Sequence, residues 1–151
     1  MENYIIRNPR NKLTEQEIDS FEESMNIKLP IEYRSFLLKY NGGKPEPNLI
    51  PIKDNPSDSH AMLIRLYCLA KGDNLDIIQK NKWLKGRLPN GFLAIGEDPG
   101  GNFICIDVLS NTGKIYFWAY EEEAPEGEPV DFRNVYYIAN SFQEMLDTLS
   151  G

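Results

Sequence analysis

Histidine is almost missing from this chain and cysteine is scarce: His60, Cys68 and Cys105 are the whole supply among 151 residues. A cysteine nucleophile needs a histidine beside it and a third group to orient that histidine. Nothing near His60 in sequence supplies either, so it reads as a solvated loop residue. The two cysteines stand 37 positions apart, without the spacing of zinc ligands. Both lie in apolar, strand-like runs, which suits buried free thiols in a reducing compartment. Positive charge is also short. Sixteen Lys and Arg face 23 Asp and Glu, a net charge of −7. That balance disfavours nucleic acid as a direct partner and favours basic proteins. No apolar run approaches the ~20 residues of a membrane helix. The start, Met1 to Arg7, lacks the charged-then-apolar layout of a secretory leader. The expectation is a cytoplasmic protein with no cofactor, no metal and no membrane contact.

What is present is enough apolar residue, 41% of the chain, for a core without staples. Thr14-Glu15-Gln16-Glu17 is a capping box, and Ile18, Phe21 and Met25 then repeat on one helical face. Leu29-Pro30 opens a second helix, carried by Tyr33, Phe36, Leu37 and Tyr40 and stopped by Asn41-Gly42-Gly43. Residues 44–60 read as a long loop with a short edge strand at Leu49–Ile52. Met62–Leu69 reads as a strand, and Asp76–Leu84 as a modest helix behind Asp73 or Asn74. Phe92–Gly96, Asn102–Val108 and Lys114–Tyr120 follow as strands. Their connectors, Asp98-Pro99-Gly100-Gly101 and Ser110-Asn111-Thr112-Gly113, carry turn chemistry, so the three form an antiparallel meander. Val135–Ile138 is a further strand. Ser141-Phe142-Gln143-Glu144 caps a last helix through Leu149. This order predicts one α+β domain over residues 1–151, with an antiparallel or partly mixed sheet. Two amino-terminal helices and one carboxy-terminal helix would pack on one face and leave the other available.

Two motifs invite a chemical reading and take a structural one. Gly96-Glu97-Asp98-Pro99-Gly100-Gly101 lacks the Lys-Ser/Thr ending of a phosphate loop and precedes a strand, so it is a hairpin turn. Asp107 interrupts the apolar run from Phe103 to Ile106, and a half-buried carboxylate there needs hydrogen-bond donors. No catalytic residue is assigned.

Two features suggest a binding surface. Glu121, Glu122, Glu123, Glu126, Glu128 and Asp131 form an acidic stretch that holds no Lys or Arg. Without those six the formal charge would be −1, so the negative charge is concentrated there. A solvated loop and a surface that steers a basic partner both fit it. Just before it, strand periodicity puts Tyr116, Trp118 and Tyr120 on one face and Ile115, Phe117 and Ala119 on the other. The first set fits an interface, since Tyr and Trp are favoured anchors. It fits equally a second core layer beneath the long loop. The partner-binding candidates are thus Tyr116, Trp118, Tyr120, Glu121, Glu122, Glu123, Glu126 and Glu128.

These motifs, in this order, resemble the SUKH superfamily, the Smi/Knr-type domain. Leu13-Thr14, Ile18 and Phe21-Glu22, followed by Leu29 to Leu37 and Asn41-Gly42-Gly43, are similar to its opening. Ile95 to Asp107 resembles its central hairpin, Gly113 to Trp118 the next strand, and Ile138 to Leu146 its terminal helix. Members often carry Asp-His-Glu after the aromatic strand. This chain has Ala119-Tyr120-Glu121, so no role of that histidine transfers. The resemblance implies a sheet-and-helix fold with no known catalytic centre. It also implies an immunity role in bacteria, binding and neutralising a cognate polymorphic toxin, often a nuclease. Fungal members are linked instead to regulation of cell-wall synthesis.

Overall fold

Helix caps and turn residues place most of the elements. The computed structural model describes residues 3–56, 59–110 and 112–151. Met1 and Glu2 of the amino-terminal stretch, Ser57 and Asp58 of the loop, and Asn111 of the second hairpin turn lie outside the described residues. The element order is β1 (Ile5–Arg7), α1 (Glu15–Met25), α2 (Ile31–Lys39), β2 (Lys44–Glu46), β3 (Leu49–Pro51), β4 (His60–Met62) and β5 (Arg65–Leu66). Then come α3 (Ile77–Trp83), β6 (Phe92–Glu97), β7 (Phe103–Asp107), β8 (Ile115–Trp118), a 3-10 turn (Tyr120–Glu122), β9 (Val135–Ala139) and α4 (Phe142–Asp147). Strands β5 to β9 form one antiparallel sheet in chain order, while β1–β2 and β3–β4 are separate antiparallel pairs. The fold is α+β.

Helix α1 carries the full capping box. The Glu17 amide donates to Thr14 Oγ1 at 3.1 Å, and the Thr14 amide donates to Glu17 Oε1 at 2.9 Å. Ser141 caps α4 by accepting from the Glu144 amide at 3.1 Å, but the Glu144 carboxylate turns instead to Lys53. The cap of α3 is Asp76, not Asp73 or Asn74. Three short strands, β1, β2 and β4, run where no strand was expected. The span Met62–Leu69 holds only the end of β4 and the two residues of β5. His60 therefore opens a strand, although it is exposed, with Nδ1 3.0 Å from Ser59 Oγ.

Asn41-Gly42-Gly43 does more than stop α2. Asn41 is 1% exposed; its amide nitrogen donates to the Asn11 and Leu69 carbonyls at 2.9 and 3.2 Å, and its oxygen accepts from the Leu69 amide at 2.7 Å. Gly43, at φ +128°, would bring a Cβ within 2.6 Å of Ile6 and 2.8 Å of the Arg7 carbonyl. The stop thus welds α2 to the amino-terminal strand and to the chain after β5. Asn41→Ala leaves the Leu69 amide without its acceptor and should cost about 2–3 kcal/mol. A lowered urea midpoint with an unchanged slope would show it; an unchanged midpoint would deny Asn41 this role.

The sheet has no bare face. Residues Leu93 to Gly96 of β6 and Phe103 to Ile106 of β7 are buried without alternation. Such runs mark strands covered on both sides. Ile104, Ile106, Ile115 and Phe117 face one way and belong to the core that includes Ile18, Phe21, Tyr33, Leu37 and Phe142. The opposite face carries Phe92, Ala94, Phe103, Cys105, Tyr116 and Trp118. The expectation that it stays open is corrected: α3, its following turn and the acidic stretch close over it. Asn81 of α3 anchors this cover to the sheet edge, donating to the Ala94 carbonyl at 2.9 Å and accepting from its amide at 2.8 Å.

Candidate interaction face

The face under this cover is aromatic in two connected groups. At one end Phe103 lies against Trp118 with ring centroids 5.7 Å apart, and Trp83 of α3 meets Phe103 edge-on at 6.4 Å. At the other end Phe92 stacks on Tyr116 at 5.0 Å, with Phe132 and Tyr137 edge-on at 5.9 and 6.1 Å. Arg87 lies over the first group. Its guanidinium carbon sits 4.9 Å from the Trp83 centroid, 5.4 Å from Trp118 and 5.9 Å from Tyr120. It donates two hydrogen bonds to the Glu123 carboxylate, at 2.9 and 3.0 Å. That paired geometry holds the guanidinium firmly protonated.

The expected stripe divides accordingly. Trp118 is fully buried and offers no ring face for docking, while Tyr116 is half-buried. Burial raises the Tyr116 phenol above its ordinary range. Tyr120 has left the strand for the 3-10 turn and is 53% exposed, its amide donating to Asn102 Oδ1 at 2.7 Å. The exposed rings that the sequence reading missed are Trp83 and Phe132, at 64% and 63%. A signal for Trp83 existed: it falls off the face of α3 that buries Ile77 and Leu84, among Lys80, Lys82 and Lys85.

The acidic stretch is a braced structure. Glu123 is clasped by Arg87, and Arg133 reaches Asp131 at 2.9 Å and Glu128 at 3.3 Å. The Tyr136 hydroxyl donates to Glu122. The buried Asn134 exchanges two bonds with Ala119, at 2.9 and 3.0 Å. Among the described residues Glu121 and Glu126 are exposed and make no ion pair. Two guanidinium groups therefore offset six carboxylates, leaving four negative charges rather than six. A hollow of about 440 Å³ opens beside the clasp, lined by Gly86, Arg87, Glu123, Glu126, Glu128 and Val130.

The other candidate groups are occupied structurally. Asp107 loses solvent to burial. Yet its oxygens accept from the Leu109 and Ser110 amides and the Ser110 hydroxyl, at 2.9, 3.2 and 2.6 Å, which hold it below the usual carboxylate range. Asp98 closes the hairpin turn by accepting from the Gly100 and Asn102 amides, both at 2.9 Å. Both cysteines are free and buried; burial pushes Cys68 up to about 11 and Cys105 higher still. Neither is a thiolate at neutral pH. Among the described residues no three His, Cys, Asp or Glu side chains converge as a metal site, and no helix is long and apolar enough to cross a membrane.

Comparison with known proteins adds a relative and a family. The chain is 28% identical, over 151 residues, to the "SPbeta prophage-derived uncharacterized protein YokK" of Bacillus subtilis (strain 168), a match covering 90% of this chain and 74% of that protein. The model of the SMI1 / KNR4 family (SUKH-1) matches residues 12–148, from just before the capping box of α1 to just past the end of α4. On that match, which takes in every helix and the whole five-stranded sheet, the chain belongs to the SMI1 / KNR4 family (SUKH-1).

Proposed function

We propose that this protein is an immunity protein, binding a cognate toxin made by the same cell and neutralising it by protein–protein contact. The observation that carries the reading is the braced acidic stretch beside exposed aromatic rings. Trp83 and Tyr120 are exposed rings that both lie against the Arg87 guanidinium, and Glu121 and Glu126 are free to meet positive charge. Rings of this type supply affinity at interfaces, and clustered charge supplies association rate. Family membership supports the reading, and so does a relative whose name places it in a prophage. The function needs no turnover, and Asp98 and Asp107 are engaged in holding a hairpin turn and a strand end.

Co-expression provides the test. The neighbouring reading frame is expected to encode a secreted protein with a variable carboxy-terminal domain. Expressing that domain alone should arrest growth. Adding this protein should restore growth, and the two should co-purify. Continued arrest with soluble, folded protein present and no complex would overturn the reading. A regulatory scaffold of the cell-wall type would instead copurify with a partner that is not toxic.

A further inference from the structure

Arg87 shows how this face holds a cation: over aromatic rings, with a carboxylate at its edge. One guanidinium uses Glu123 and part of Trp83, and more of the same chemistry is left over. Trp83 and Tyr120 remain mostly exposed around the clasp. Glu126 lines the hollow beside it without a cation of its own, and Glu121 follows Tyr120 in the same 3-10 turn. Val130 gives that hollow an exposed apolar wall. The bracing matters as much as the residues. The stretch is fixed by Arg87, Arg133, Asn102, Asn134 and Tyr136, so little conformational entropy remains to be lost on binding.

We propose that the hollow beside the Arg87–Glu123 clasp, together with the exposed Trp83 and Tyr120 rings that lie against Arg87, docks a protein partner that inserts an arginine side chain. The guanidinium stacks on an exposed ring and is neutralised by Glu121 or Glu126. Arginine fits better than lysine because a planar guanidinium can stack and bond a carboxylate side-on at once. The surplus of negative charge around the rim selects such a partner over an acidic or neutral one. This deepens the immunity reading and rests on it for the partner's identity, but the surface can be tested alone.

Titrating the isotope-labelled full chain with tetra-arginine, followed by NMR, gives that test. The indole signal of Trp83 and the amides of Tyr120, Glu121 and Glu126 should shift together, while buried Trp118 stays still. Tetra-citrulline, the neutral counterpart, should bind about tenfold or more weaker, and tetra-lysine should fall between them. A triple variant, Trp83→Ala with Glu121→Gln and Glu126→Gln, changes only exposed groups and should keep its amide spectrum elsewhere while losing the response. Shifts centred on another part of the surface, or equal binding by the triple variant, would overturn the proposal. So would concentration-dependent shifts of the same signals without peptide, since a second copy of the chain would then occupy the site. Given a toxin in hand, normal toxin binding by the triple variant overturns this surface and leaves the immunity reading standing. A tetra-arginine response without any toxin complex does the reverse.

Discussion

Trp118→Ala should remove about 3–5 kcal/mol of stability, the range for truncating a large buried ring, whereas Trp83→Ala should cost about 1 kcal/mol or less. The two tryptophans touch the same neighbours and differ in what surrounds them. Phe103 and Arg87 contact both. Trp118 is sealed between β7 and β9 under α3's turn and the acidic stretch, so its removal opens a cavity that rigid strands cannot refill. It also takes away the floor on which Arg87 rests, and with it support for the clasp to Glu123. Trp83 is 64% exposed and leaves mainly solvent behind. Urea unfolding of both variants separates the cases. Similar midpoints for the two would mean that the cover over this face is not packed as described. A large stability loss confined to Trp83→Ala would do the same.

That contrast marks where the sequence was legible. The capping box at Thr14, the glycine stop after α2 and the turns around Asp98 and Ser110 are local signals, written within a few residues, and the helices and meander they predict are present. Strands β1, β2 and β4 are three residues each, and β2 is Lys44-Pro45-Glu46, a polar segment with a proline. Such segments become strands only because a partner lies beside them, as Pro45 pairs opposite Ile6. Alternation correctly put Tyr116 and Trp118 on one face, but it could not say what covers that face. The cover is Arg87 bound to Glu123, 36 positions away, and no local pattern reports such a pair. Arg133, by contrast, stands two residues from Asp131, and its offset of the acidic charge was readable. The exposed ring on α3 was readable too, as an aromatic on a face otherwise occupied by lysines.

If the proposed immunity role holds, neutralising the exposed acids slows capture of the toxin more than it loosens the finished complex. With Glu121, Glu122, Glu126 and Glu128 changed to Gln, the association rate at low salt should fall about tenfold or more, since steering by clustered charge is worth roughly 10–10³. The dissociation rate should change much less, because exposed charges at a rim govern encounter rather than residence. Glu123 is left intact in this variant, because its two-bond clasp to Arg87 would be broken, whereas Gln at positions 122 and 128 keeps a carbonyl oxygen that can still accept from Tyr136 and Arg133. Ionic strength supplies the internal control. At 0.15 M salt the screening length is about 8 Å, and near 1 M about 3 Å, so the native and neutralised proteins should converge as salt rises. Trp83→Ala should behave oppositely, with the association rate nearly kept and dissociation accelerated at every salt concentration. The aromatic rim and the carboxylates would thereby show up in different rate constants of one reaction. A neutralised variant that associates as fast as the native protein at low salt would mean that the acidic stretch is only solvated surface.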